Sequence, residues 1–465
     1  MIRILLLLLA AAPASLEQQV AAELTAASPG TRFGVVVATD DGREIVALLP
    51  DGRFVPASNT KLFTTAALFA SGVDLDAPDG ASGASVRLEP RPGRAPDVVL
   101  VGHGDARLSA AADCVSDCLA TLADAVAART RVVRDVVGDD SWFPDQRWSP
   151  GMSWNNIATP SGTGVSALSV DANEAVLTVV PGTPATVTGD GYYRVENRVT
   201  AGGVTALGYD RMPGSDVVRV TGTVAAGAAQ VLRLGVDDPA RYAAWQLRRM
   251  LRARGVRVTG GVFARHRPAD AGDDPARRGG GSVARPPEPP MLARLVAPPL
   301  GETATITNKV SQNLYAELLL RRVGRLAGTG SIADGQAAVG AMLARAGVPR
   351  GAYDFSDGAG MSSYDRVTPR GVVTFLRWAA TQPWGARWRA TLPTGGEGTL
   401  RRRFANGPPI AAKTGTLNGS SALAGWVMAA SGRELVFAAY AGDVPGDAGA
   451  ARAIDAALAR IAAAN

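Results

Sequence analysis

The chain has 465 residues, too many for one ordinary hydrophobic core, so two or three domains are expected. With 46% hydrophobic and 19% charged residues it reads as packed and globular, and its 54 glycines and 30 prolines mark turns between recurring apolar runs. The net charge of +6 suits a setting of anionic polymers, but the arginines are scattered, which disfavours nucleic-acid binding. Two histidines, His103 and His266, leave little for a histidine-based metal site or a Ser-His-Asp triad, and nothing asks for a cofactor.

In chain order, Arg3, the apolar run Ile4 to Ala12 and the small residues Ala12-Pro13-Ala14 have the layout of a signal peptide over residues 1–14, with a mature start near Ser15. Export to the periplasm or cell wall is expected. The apolar run is too short to span a bilayer, and no later segment is long and apolar enough to do so. Arg32 to Thr39 and Arg43 to Leu49 flank Asp40-Asp41-Gly42, a hairpin signal. Ser58 to Ala70 reads as a helix with Ser58 at its start. Val86 to Leu88 and Asp97 to Gly102 read as short strands, Cys118 to Arg129 as a helix, and Arg131 to Val137 as a strand ending at Gly138-Asp139-Asp140-Ser141. Cys114 and Cys118 are either two small packing residues or a disulfide. A helix would put both on one face, where a bridge needs distorted geometry.

From about Ser166 to Val236 short alternating segments separated by Gly, Pro and Asn predict an all-β insert, including Ala175 to Val180, Tyr192 to Val199 and Asp216 to Val224. Pro239 to Arg254 returns to helix, and Arg265 to Pro290 reads as a loop or linker. Helices follow at Asn313 to Arg322, Ile332 to Ala346 and Arg370 to Thr381. Two strands, Ala422 to Ala429 and Arg433 to Ala441, precede a closing helix at Ala450 to Ala464.

The 48 basic residues include only three lysines, Lys61, Lys309 and Lys413. Arginine serves wherever a surface charge suffices, but it cannot lose its proton, so a chain this arginine-rich keeps lysine where an amine is chemically needed. Ser58-Asn59-Thr60-Lys61 puts a serine and a lysine three apart on a helix, where a neutral amine can take the hydroxyl proton. In Ser311-Gln312-Asn313 a hydroxyl can relay a proton, and an amide can bind a substrate carbonyl and orient Lys61. Lys413-Thr414-Gly415-Thr416, just before the strand pair, suits a substrate carboxylate. Gly415 leaves room for a peptide to lie along the strand there. The backbone N–H groups of Thr416 and Ser58 form a candidate oxyanion hole. Each motif alone is weak. All three in this order are specific to serine acyl-transfer enzymes of the penicillin-binding and β-lactamase type.

The chain resembles the class C low-molecular-mass penicillin-binding proteins, the S13 serine peptidases. The resemblance runs from about Thr31 to Arg460. It includes Pro56 to Lys61, Gly138 to Ser141, Lys309 to Glu317, Asp357 to Ser362, Leu392 to Gly396, Gly398 to Leu400 and Ala412 to Leu417. It implies an α+β transpeptidase-like domain, an antiparallel sheet flanked by helices, interrupted by two nested domains. The expected division is 15–84 with 288–465 for the transpeptidase-like domain, 85–165 with 237–287 for the first inserted domain, and 166–236 for the β-rich one.

The implied activity is removal of terminal D-Ala from peptidoglycan stem peptides and cleavage of their cross-links. The implied nucleophile is Ser58, served by Lys61, Ser311, Asn313 and Lys413, with Thr414, Gly415, Thr416 and Leu417 along the substrate and β-lactams as covalent inhibitors. Two departures stand out. Family members often carry an acidic residue shortly after a tryptophan in the insert, where it meets the amino group of diaminopimelate; here Trp154 is followed by neutral Asn156. Asp365 stands where the family usually has Asn. The competing readings are a serine β-lactamase and a non-catalytic wall-binding protein that keeps the fold.

Overall fold

The computed structural model describes residues 14–279, 283–285, 287–446 and 448–465. The expected signal peptide lies almost wholly outside these residues. Among the described residues no helix is long and apolar enough to cross a membrane.

A five-stranded antiparallel sheet carries both ends of the chain. Its order is Ile410–Leu417, Ser420–Met428, Glu434–Gly442, Arg32–Thr39 and Glu44–Leu48. Both faces are covered, so its inner strands read as near-continuous apolar runs rather than alternating ones. Alternate residues still go to opposite cores. Val36, Ala424, Val436 and Tyr440 face one side, where they meet helices Thr60–Phe69, Asn313–Ala327, Ile332–Arg345 and Pro369–Ala380. Val35, Leu423, Phe437 and Ala439 face the other, against Leu16–Ala27 and Ala450–Ala464. The helix Thr60–Phe69 is sealed between the sheet and its neighbouring helices, and all ten of its residues are buried.

Between the two ends lies a second body. A five-stranded mixed sheet runs in the order Val262–Arg267, Val136–Pro144, Arg94–Val101, Ser85–Arg91 and Ala293–Arg294. Helices Leu119–Arg129 and Pro239–Ala253 pack against it. Two three-stranded sheets, built between Glu174 and Gly235, share that apolar cluster.

Several expectations are corrected. Gly138 to Ser141 lie inside the strand Val136–Pro144, not after it. A Cβ on Gly138 would stand 2.0 Å from the Ala240 carbonyl oxygen, so the glycine admits the helix Pro239–Ala253. The two aspartates are neutralised inside the fold, Asp139 by Arg87 and Arg265, Asp140 by His266 at 2.8 Å. The linker read from Arg265 begins within the strand Val262–Arg267. Lys413 to Thr416 do not precede a strand pair; they belong to the edge strand Ile410–Leu417. Cys114 and Cys118 form a disulfide with Cα atoms 5.8 Å apart, in an irregular loop rather than a helix, so the helical objection does not arise.

Trp388 is fully buried and its indole N–H donates to Thr65 Oγ1 at 2.9 Å, which backs the helix Thr60–Phe69. Trp388→Ala is expected to cost about 3–5 kcal/mol. Urea unfolding followed by circular dichroism checks this as a lowered midpoint.

Candidate active site

Ser58 sits in a single 3-10 turn, Ala57–Asn59, that feeds directly into the helix Thr60–Phe69. Ala57 has φ +48°, a left-handed conformation that a side chain resists. The turn is wedged between two close approaches that only glycine permits. A Cβ on Gly360 would stand 1.8 Å from the Ala57 carbonyl oxygen, and one on Gly415 would stand 2.5 Å from that of Pro56. The same Gly415 position is 3.1 Å from the backbone nitrogen of Ser58. A narrow gap therefore separates Ser58 from the edge strand.

Lys61 has no solvent exposure, and its amine meets three oxygens: Ser58 Oγ at 2.9 Å, Asn313 Oδ1 at 2.6 Å and the Ala359 carbonyl at 2.6 Å. The Asn313 orientation is fixed independently, because its Nδ2 donates to the Ser161 carbonyl at 2.9 Å. A neutral amine has two hydrogens. The two carbonyl-type oxygens can accept both, which leaves the lone pair for the Ser58 hydroxyl. Burial lowers Lys61 to about 7, opposed by the nearby carboxylates of Asp357 and Glu317.

Asn313 opens the helix Asn313–Ala327, and Gln312 caps it by accepting from Leu314 N at 3.1 Å. That leaves the hydroxyl of Ser311, itself at φ +63°, to face Lys413 Nζ at 2.9 Å. Lys413 is also fully buried, and its amine donates to the Thr414 carbonyl at 2.9 Å. Burial, then the charge of Lys61, pushes Lys413 well down. The repulsion between the two amines acts on Lys413; for Lys61 desolvation dominates. Thr414 Oγ1 pairs with Thr399 Oγ1 at 2.9 Å, Thr416 is exposed on the strand, and Leu417 is half-buried beside it.

Three groups that sequence reasoning gave no role complete the frame. Asn59 Nδ2 donates to the Lys413 carbonyl at 2.8 Å, and its Oδ1 accepts from Tyr440 OH at 3.1 Å. Asp357 accepts from the N–H groups of Gly360, Met361 and Ser362, each at 2.7 Å. Asp365 is fully buried, accepts from Ser356 N at 2.7 Å and Thr60 Oγ1 at 3.1 Å, and is pushed well up by burial and by Asp357.

Lys309 does not join the centre. Its amine pairs with Glu397 at 2.6 Å, and Glu397 also accepts from Thr394 Oγ1 at 3.0 Å. Trp154 and Asn156 form a single exposed turn of the insert, Trp154 63% exposed and Asn156 half-buried. The segment continues to Ser161, whose carbonyl holds Asn313, so it borders the cleft without touching Ser58.

An antiparallel sheet between helical layers, with a serine and two buried lysines at its edge strand, defines a protein of the penicillin-binding-protein and β-lactamase-like fold. The chain belongs to the D-Ala-D-Ala carboxypeptidase 3 (S13) family, whose sequence model matches residues 16–465. It is 34% identical over 433 residues to a D-alanyl-D-alanine carboxypeptidase of Actinomadura sp. strain R39, covering 87% of this chain and 76% of that protein. It is 25% identical over 448 residues to a penicillin-sensitive carboxypeptidase A of Dictyostelium discoideum, covering 86% and 80%. The crystal structure of penicillin-binding protein 4 from Haemophilus influenzae superposes with a TM-score of 0.75 at 21% identity, covering 95% of this chain and 97% of that one.

Gly360→Ala tests the packing of the Ser58 turn. The added methyl meets a backbone oxygen, so the turn must move, at a cost of about 1–3 kcal/mol. Thermal unfolding should show the loss, and labelling of the protein by a fluorescent penicillin should slow with it.

Proposed function

We propose that this protein is an exported serine carboxypeptidase that removes terminal D-Ala from peptidoglycan stem peptides and also cleaves their D-Ala cross-links. On this reading the catalytic residues all belong to the transpeptidase-like domain, 15–84 with 288–465. The observation that carries the reading is the Lys61 amine, buried, held by two carbonyl-type oxygens and 2.9 Å from Ser58 Oγ.

In acylation Lys61 takes the Ser58 proton as Oγ attacks the penultimate carbonyl carbon. The developing oxyanion lies against the backbone N–H groups of Ser58 and Thr416. The C–N bond then breaks, and the departing amine receives a proton through Ser311. The terminal carboxylate binds Lys413 and Thr416, and its negative charge favours the ammonium form of Lys413 against the pull of burial. The rest of the peptide lies along Gly415 and Leu417, with Thr414 fixing the strand through Thr399. Asn313 binds the acyl side of the peptide and holds Lys61. Water releases the acyl group. A β-lactam, whose ring amide mimics the scissile bond, acylates the same serine.

After treatment with benzylpenicillin, peptide mass spectrometry should find one adduct, on the Ser58 peptide. An adduct elsewhere, or none, overturns the assignment, and sustained nitrocefin turnover would favour a β-lactamase. Lys61→Arg keeps a charge but cannot accept the proton, so acylation should fall by about 10²–10⁴. Only the neutral amine is active, so kcat/KM should rise with pH through about 7 and then level off. Amidation of the terminal carboxylate should remove most of the turnover; an unchanged kcat/KM would remove Lys413 and Thr416 from that role.

Asn156 gives a separate expectation. A carboxylate at this half-exposed position adds about 0–1 kcal/mol toward an ammonium. Asn156→Asp should therefore raise kcat/KM on diaminopimelate peptides by at most about fivefold. Acylation by a small β-lactam, which lacks that amine, should stay level, and parallel kinetics on both substrates check it.

A further inference from the structure

Glu317 lies one turn beyond Asn313 on the helix Asn313–Ala327, so both side chains point the same way. It is buried, and its two oxygens behave differently. Oε1 accepts from the N–H groups of Gly358 and Ala359, both at 2.8 Å. The carbonyl of that same Ala359 accepts from Lys61 at 2.6 Å. Thr64 Oγ1 reaches the Gly358 carbonyl at 2.8 Å from the Lys61 helix. One carboxylate oxygen thus fixes the peptide on which the amine rests.

Oε2 has no hydrogen-bond partner. The nearest cation, Arg321, is 4.0 Å away, and its terminal nitrogens donate instead to Gln146, at 3.1 and 2.9 Å. Beside Glu317 lies a cavity of about 20 Å³, lined also by Asn313, Ser161, Asp357 and Ala359. That is room for about one water.

We propose that Glu317 is a positioning residue of the acylating centre: through the Ala359 peptide it holds the Lys61 amine against Ser58, and its carboxylate, beside that of Asp357, is a counter-charge to that amine. The inference deepens the reading of Lys61 as the base and rests on it.

The groups that face this pair are few. Asp357, in contact with Asp365, approaches from the loop after Phe355, Lys413 from the edge strand, and Arg321 from Glu317's own helix. Burial and Asp357 push Glu317 up to about 7, against Arg321 and its two N–H donors, so Glu317 and Lys61 gain and lose protons in the same pH range. An ionised Glu317 favours the ammonium. Removing its charge lowers Lys61 further, and the rise of acylation with pH moves to more acid pH.

Glu317→Gln keeps an oxygen for Gly358 and Ala359 but loses the charge. Benzylpenicillin acylation of the full chain, followed from pH 5 to 9, should stay within about fivefold of wild type on the plateau. Its acid limb should move to more acid pH. Glu317→Ala loses the grip as well and should acylate about 100-fold more slowly. An unmoved limb in the Gln variant overturns the proposal, whether or not the Ala variant folds, and so does an Ala variant as fast as wild type. If wild type itself forms no Ser58 adduct, it is the reading of the base that fails; if wild type reacts and the variants match it, only the role of Glu317 fails.

Discussion

Everything near Ser58 is arranged around one constraint, the burial of a lysine amine. An isolated ammonium out of water costs several kcal/mol, and the least costly answer is to give up the proton. The fold uses that cost. It supplies two oxygens for the N–H bonds and two carboxylates that keep the amine from losing its proton irretrievably. Arginine in this place would stay charged at any pH, which explains why one of three lysines in a chain so rich in arginine stands here.

The constraint also explains the shape of the surrounding backbone. The Ala57 turn, Gly360 and Gly415 are strained or tight because three chain segments must converge on one amine and one hydroxyl. Neither contact can relax alone. Asn59 ties the Ser58 turn to the edge strand, and Tyr440 ties Asn59 to the sheet interior. The insert takes part through two hydrogen-bonded seams, Ser161 to Asn313 and Gln146 to Arg321. The Asn313 helix is thereby set by both bodies at once.

The residues gathered around Ser58 were legible because their chemistry restricts residue type: an amine among arginines, and hydroxyls at fixed offsets. The α+β class and most helices were legible from periodicity. The failures have physical causes. Ile410–Leu417 is built mostly of small and polar residues at a sheet edge, so it carries little strand signal. The continuation of the strand Val136–Pro144 past Val137 was masked by Gly and Asp, turn formers that here admit a helix and meet two arginines and a histidine. Glu317 looks like any polar residue of an amphipathic helix. Its partners lie 41 and 42 residues downstream, a distance over which spacing says nothing.

The sheet order carries a consequence for how the protein comes into being. The strand Arg32–Thr39 lies between Glu44–Leu48 and Glu434–Gly442, and Asn59 waits 354 residues for its partner at Lys413. A ribosome finishes the Ser58 segment long before the strands that complete its surroundings. Until they arrive, a sticky strand edge stands open and Lys61 lacks its partners at Asn313 and Ala359. Contacts of such long range fold slowly. The nascent chain therefore passes most of its synthesis without the surroundings of Ser58, which assemble only when its final hairpin closes over strands made at the outset.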